Sequence, residues 1–218
     1  MKKLGIWIIP AGVLIALCAA SVEGAILRLS THSSEPDGYF TCPEHLTAKL
    51  DFSVVDSKLT LSITNLTADS PGGIELNINK IFFNVTDNIT GLGLIAATGP
   101  EGQVTNEWDL VFSKDAFIVG GFGRFDVSVA GGHGNHPNVI KPGKTVSFDC
   151  HITGTGPFSD RDFVTLSAPL GEHILSYAAG KFYGEGDISS YGAVNSTPEP
   201  ATVCLFACGG LVLLLRRR

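Results

Sequence analysis

Charge is scarce in this chain, and its signs are unevenly placed. Only 17% of the 218 residues are charged, and five of the 15 basic ones (Lys2, Lys3, Arg216, Arg217 and Arg218) lie at the extreme ends. Residues 25–197 keep 10 basic against 19 acidic side chains, a net of −9. A body of that sign lacks the clustered Lys and Arg that phosphate backbones require, which argues against nucleic acid as a partner. Long apolar runs at a 3.6-residue period are also missing from it, so helical bundles and coiled coils are excluded. The composition, with 44% hydrophobic residues and 26 Gly but no Gly-X-Y repeat, likewise excludes collagen, a disordered chain and a multi-span membrane protein. No fixed-period repeat and no long linker divides the chain, so its length fits one domain between two terminal segments.

Residues 1–24 have the pattern of a secretory signal peptide. Lys2 and Lys3 form the positive start, and Leu4 to Ala20 is apolar and uncharged. Small residues then offer cleavage after Ala20, Ser21 or Gly24. The alternative is an uncleaved anchor helix, against which Pro10 and the small-residue exit both count. A lipoprotein signal wants a small residue before its cysteine, and Cys18 follows Leu17.

At the other end, Pro198-Glu199-Pro200-Ala201-Thr202 leads into an uncharged stretch from Ala201 to Leu215, closed by Arg216, Arg217 and Arg218. Fifteen helical residues span roughly 22 Å, short of the ~30 Å hydrocarbon core. Snorkelling arginines and a small mismatch make up the difference. Positive residues stay on the cytoplasmic side, so both ends are expected inside and the body outside. This combination over residues 197–218 resembles the PEP-CTERM sorting signal of Gram-negative bacteria, with Thr197 where valine is common. The resemblance implies recognition by an exosortase, a membrane-embedded cysteine-type processing enzyme, and cleavage near Pro198, Glu199 and Pro200. It also implies a transient inner-membrane anchor and release to the cell surface or an exopolysaccharide matrix, after the Sec export and signal-peptidase cleavage that the N-terminal segment predicts. An ordinary tail anchor is the alternative.

The body, residues 25–196, alternates with period two. Leu50, Phe52 and Val54 face one way, as do Leu59, Leu61 and Ile63, and Asp56-Ser57-Lys58 is the expected hairpin turn between them. Further strands are expected at Ile74–Val85, Glu107–Phe112, Arg124–Val129, Thr145–Ile152 and Asp162–Ser167. Ile26–Ser30 and His173–Tyr177 carry weaker signals. Turn material separates the runs at residues 69–73, 99–102, 131–137 and 154–157. Short strands spaced by Gly, Pro and Asn predict an all-β antiparallel sandwich or jelly roll, flanked by an N-terminal signal helix and a C-terminal transmembrane helix. The hairpin at residues 50–66, Phe82-Phe83 and the Pro-Gly turn into Phe148 also resemble other PEP-CTERM exoproteins.

Of five cysteines, Cys18 belongs to the signal and Cys204 and Cys208 to the tail, leaving Cys42 and Cys150 in the body. In an exported chain these are candidates for a disulfide. It would close a loop of about 107 residues, worth ~4–5 kcal/mol in the chain-entropy model. Two separately buried thiols are the alternative.

Chemistry-bearing groups are few. Gly-Asn-His at residues 134–136 and Asp149-Cys150-His151 echo blocks of the calcineurin-like metallophosphatases, but in reversed order and without the βαβ framework. His133 and His136 could share a metal only with ligands the sequence does not supply. Glu107 and Asp109 flank Trp108. On a strand they share one face while the indole takes the other, which is the arrangement of a buried Trp beside solvated carboxylates. Gly120-Gly121-Phe122-Gly123 lacks the lysine and helix of a phosphate loop and reads as a turn. Calcium through Asp69, Asp87 or Asp187 has no EF-hand or nine-residue repeat behind it. The Asn-x-Ser/Thr matches at Asn65, Asn84, Asn88 and Asn195 are what an Asn/Thr-rich β protein supplies by chance. The expectation is therefore a non-enzymatic exported protein with no cofactor and no metal. The alternatives are a carbohydrate-active or metal-dependent secreted enzyme, or a sugar-binding module presenting Tyr177, Tyr183 and Tyr191.

Overall fold

Alternation of apolar and hydroxyl side chains builds the first hairpin. A computed structural model describes residues 25–29, 47–67, 75–131, 138–171, 175–184 and 189–194. In it, β1 (Ala25–Leu29) pairs with β2 (Ala48–Val55), which pairs with β3 (Lys58–Asn65). Lys58 opens β3 opposite Val55, so the turn holds only Asp56 and Ser57, and Asp56 takes the left-handed φ of 56° that a two-residue hairpin demands.

The chain continues through β4 (Asn77–Phe83), β5 (Ile89–Gly99), β6 (Gly102–Gln103), β7 (Trp108–Val119), β8 (Gly123–Gly131), β9 (Thr145–Gly154), β10 (Ala178–Tyr183) and β11 (Ser189–Val194). These form two antiparallel sheets. The first, sheet A, runs β1-β2-β3-β9-β5-β6; the second, sheet B, runs β11-β10-β4-β8-β7. Leu50, Phe52, Leu61, Phe148 and Ile152 from sheet A meet Ile81, Phe83, Val127, Val129 and Phe182 from sheet B in one buried core. The architecture is an antiparallel β-sandwich.

Two expected strands differ in the structure, and one observed strand was not expected. Asp162–Ser167 is not a strand: residues 160–163 form a 3₁₀ helix, because the Ser159 amide donates to the Asp162 carboxylate at 2.7 Å and closes a capping box. That helix buries Phe163 in a stack on Phe52 at 5.8 Å. Only isolated bridges, Asn84 with Thr165 and Arg124 with Ala168, follow it. The His173–Tyr177 segment precedes its strand, which is β10 at Ala178–Tyr183, and residues 172–174 lie outside the described residues. β5 is an 11-residue strand that period-two alternation does not announce. Register shifts between Ile89 and Gly91, and between Leu94 and Ala96, reverse its inward parity twice.

Strand β7 also outruns its expected end at Phe112, because an irregularity divides it. Phe112 pairs with Val127 and Phe117 with Phe125, so residues 113–116 stand opposite Asp126 alone. Asp115 there takes φ 52°. Beyond this bulge Phe117, Val119, Phe122 and Phe125 pack with Phe82 and Ala179 in a second cluster. Phe82 and Ala179 are the outward neighbours of Phe83 and Ala178, which lie in the main core, so the hairpin tip covers part of the outer side of sheet B.

Candidate functional site

The outer face of sheet A is a ladder of paired polar groups. β3 and β9 place Thr60 opposite Asp149, Ser62 opposite Ser147 and Thr64 opposite Thr145. The Thr60 hydroxyl donates to Asp149 Oδ1 at 2.9 Å, and the other two pairs join hydroxyl to hydroxyl at 2.9 Å each. Lys58 Nζ meets Asp149 Oδ2 at 2.8 Å, and Lys49 meets Asp51 at 3.1 Å. The hydrogen bond from Lys58 holds the Asp149 carboxyl below its ordinary range, aided by Thr60 and the Lys58 charge and opposed by desolvation. Such a surface holds its hydroxyls and carboxylates in pairs with one another.

The same alternation separates Asp149-Cys150-His151. Asp149 and His151 face outward, His151 exposed, while Cys150 is fully buried among Val146, Phe148 and Ile152. Burial first, and the neighbouring Asp149 charge second, push the Cys150 thiol up to about 12. Its proposed partner Cys42 lies outside the described residues.

Trp108 is buried edge-on against Phe148 at 5.2 Å, with Glu107 and Asp109 exposed on either side of it. The parity expected from the sequence is the one observed. Residues 120–122 form the β7–β8 turn, in which the Phe122 amide donates to Val119 O at 3.0 Å. Tyr177 packs against the main core and Tyr183 is half-buried beside Asn77 across the β10–β4 pair. Asn65 and Asn84 are buried and hydrogen-bonded within the protein, not displayed. His133, His136, Asp69, Asp187, Asn195, Pro198, Glu199, Pro200, Arg216, Arg217, Arg218 and the side chain of Tyr191 lie outside the described residues.

A charged cluster that the sequence reading missed centres on Asp126, only 3% exposed within β8. Its Oδ1 accepts the Asp115 amide at 2.9 Å, and its Oδ2 accepts the Val85 amide at 3.1 Å and Lys114 Nζ at 3.3 Å. The Asp126 amide donates to Asn84 Oδ1 at 2.8 Å. This carboxylate shapes the β7 bulge and ties it to the end of β4. The sequence signal was an acid between Phe125 and Val127 on a strand, a position acids occupy only when paired.

No family model matches the chain, and no curated protein matches it. Among solved structures it is similar to a CBM3a-L domain with flanking linkers from the scaffoldin cipA of the Clostridium thermocellum cellulosome. The two share 13% identity over 79% of this chain and 92% of that one, with a TM-score of 0.30.

Proposed function

We propose that this chain is an exported, non-enzymatic β-sandwich, sorted through a C-terminal PEP-CTERM signal and released to the surface or extracellular matrix of a Gram-negative cell. The observation that carries the reading is the run Pro198-Glu199-Pro200, apolar residues 201–215 and Arg216–Arg218, set against a signal-type segment at residues 1–24. In this reading the Sec translocon and signal peptidase act first, the C-terminal helix holds the body at the inner membrane, and an exosortase releases it. The hydroxyl ladder of sheet A supports a role among hydrated polysaccharides, since it makes the face polar. Replacing Pro198, Glu199 and Pro200 together by alanine is expected to strand the protein in the membrane fraction of its native cell. Normal release of that variant would sink the sorting assignment.

A second reading, a sugar-binding module, draws on the outer face of sheet B. Asn77 and Asn79 carry buried Oδ1 atoms without a hydrogen-bond partner among the described residues, and Asn77 stands opposite Tyr183. An amide oxygen left in that state is offset by an ordered water or a ligand hydroxyl. Affinity electrophoresis in the exopolysaccharide of the native cell separates the readings: retardation lost in Tyr183→Ala favours the module.

A further inference from the structure

The tip of the β7–β8 hairpin covers the outer side of sheet B around Phe82 and Ala179, and the half beyond it carries a different set of side chains. β10 pairs Lys181 with Lys80 and Phe182 with Ile78, so Asn79 is an extra residue on β4. Asn79 and Lys80 together stand opposite Lys181. Tyr183 stands opposite Asn77, one pair further on. Ile78 turns inward to the core, so Asn77 takes the outer face, and Lys80 is exposed. Ile140 bridges Ile78 from the other side, which brings the exposed Lys141 to the Asn77 end of the patch.

Two features of this patch cost the fold stability. Lys80 and Lys181 are direct cross-strand neighbours, and like charges so placed destabilise a sheet. With Lys141 they bring three of the body's 10 basic residues to one half-face of a chain whose body is net −9. The acids nearest along the strands are Asp109, beyond Ala130, and Glu75, two residues before Asn77. The second feature is a pair of carboxamides. Asn77 Oδ1 and Asn79 Oδ1 are buried without a hydrogen-bond partner among the described residues, although both residues are only half-buried. A turn of either carboxamide carries its oxygen to the surface, where a hydroxyl can donate to it.

Ammonium groups donate and accept nothing, so their strongest partners are anions, whereas amide oxygens take hydroxyl donors. A ligand that meets both carries anionic groups and hydroxyls together. We infer that this half-face binds an anionic polysaccharide, with Lys80 and Lys181 on its carboxylate or sulfate groups, Asn77 and Asn79 on its ring hydroxyls, and Lys141 at the end of the track. Such a site belongs to the sugar-binding reading, on which it rests, and gives that reading its ligand class. The body as a whole repels a polyanion, so binding reads the local patch and not the net charge.

The test is affinity electrophoresis of the full chain in native gels containing polygalacturonate or its methyl ester, and dextran sulfate or dextran. Each pair shares a backbone and differs in charge. Retardation is expected with an anionic polymer, is lost with its neutral partner, and fades as salt is raised. Retardation in polygalacturonate alone assigns the anionic group as carboxylate, in dextran sulfate alone as sulfate, and in both as either. Lys80→Gln should weaken binding about two- to fivefold, as loss of an exposed ion pair does. Lys80→Glu should weaken it at least about tenfold, by placing like charges together. Arg28→Glu makes the same change of charge at an exposed position on sheet A and should leave binding unchanged. An equal loss in Arg28→Glu and Lys80→Glu would remove the site from this face. Equal retardation by charged and neutral polymers would leave the sugar-binding module standing and overturn its anionic class. No retardation in any of these gels would overturn the anionic site, and the module would then rest on the native exopolysaccharide alone.

Discussion

Two adjacent side chains on β9 show how much the facing of a residue decides. Asp149 sits outside, held ionised by Lys58 and Thr60, while Cys150, one position on, is sealed in the core. Burial disfavours a thiolate, so the folded thiol ionises only near pH 12, whereas an unfolded cysteine does so near about 8.5. With the folded value the higher, the contribution of the neutral thiol is complete below about pH 8.5 and is lost as pH rises toward 12. In the reduced protein, denaturant unfolding from pH 7 to 10.5 should therefore show falling stability, with a shallower fall in Cys150→Ala. Equal slopes would mean that the thiol is not held in its neutral form by the core.

At the scale of elements, the joints between strands rest on single buried polar side chains. Asn65, fully buried at the end of β3, donates through Nδ2 to Leu76 O and Ile140 O at 2.8 Å each and accepts the Thr67 amide at 3.0 Å. One amide thus fastens sheet A to the lead-in of β4 and to the segment before β9. Asn65→Ala leaves Leu76 O and the Thr67 amide without their partner, while Ile140 O keeps the Ile78 amide, and should cost about 2–4 kcal/mol. Chemical denaturation should show a lower midpoint at unchanged m-value. The same scale explains which elements could be read in advance. β2, β3 and β9 alternate strictly and were legible, whereas β5 and β7 carry register irregularities that break the alternation. A strand is expected in place of the 3₁₀ helix at residues 160–163 because Phe163 and the C-cap residue Val164 are adjacent apolar residues that fit either geometry.

For the whole molecule, the terminal segments and the sandwich make separable claims. On the proposed export and sorting, intact-mass measurement on protein recovered outside the native cell should find both residues 1 to about 24 and the tail beyond about 198 missing. A mass 2 Da below the reduced value would add the Cys42–Cys150 bridge, and a mass equal to the reduced value would leave two thiols. Retention of the tail would make this a membrane-anchored protein. Among the described residues the core closes between the two sheets.

Sequence alone determined the class of fold, the inward residues of the regular strands, the burial of Trp108 between two solvated acids, and the two terminal patterns. Each of these is local: parity along a strand or a run of composition needs no knowledge of what lies across the sheet. Tertiary structure decided the rest. It set the strand order, which brings β9 between β3 and β5 from far along the chain and so pairs Thr60, Ser62 and Thr64 with partners on β9. It likewise gathered Val85 and Asp87 of the β4–β5 connection, Lys114 of β7 and Asp126 of β8 around one point. Convergence of that kind comes from where a bulge bends a strand and a turn aims its carbonyls, and neither is written in the identity of any single residue.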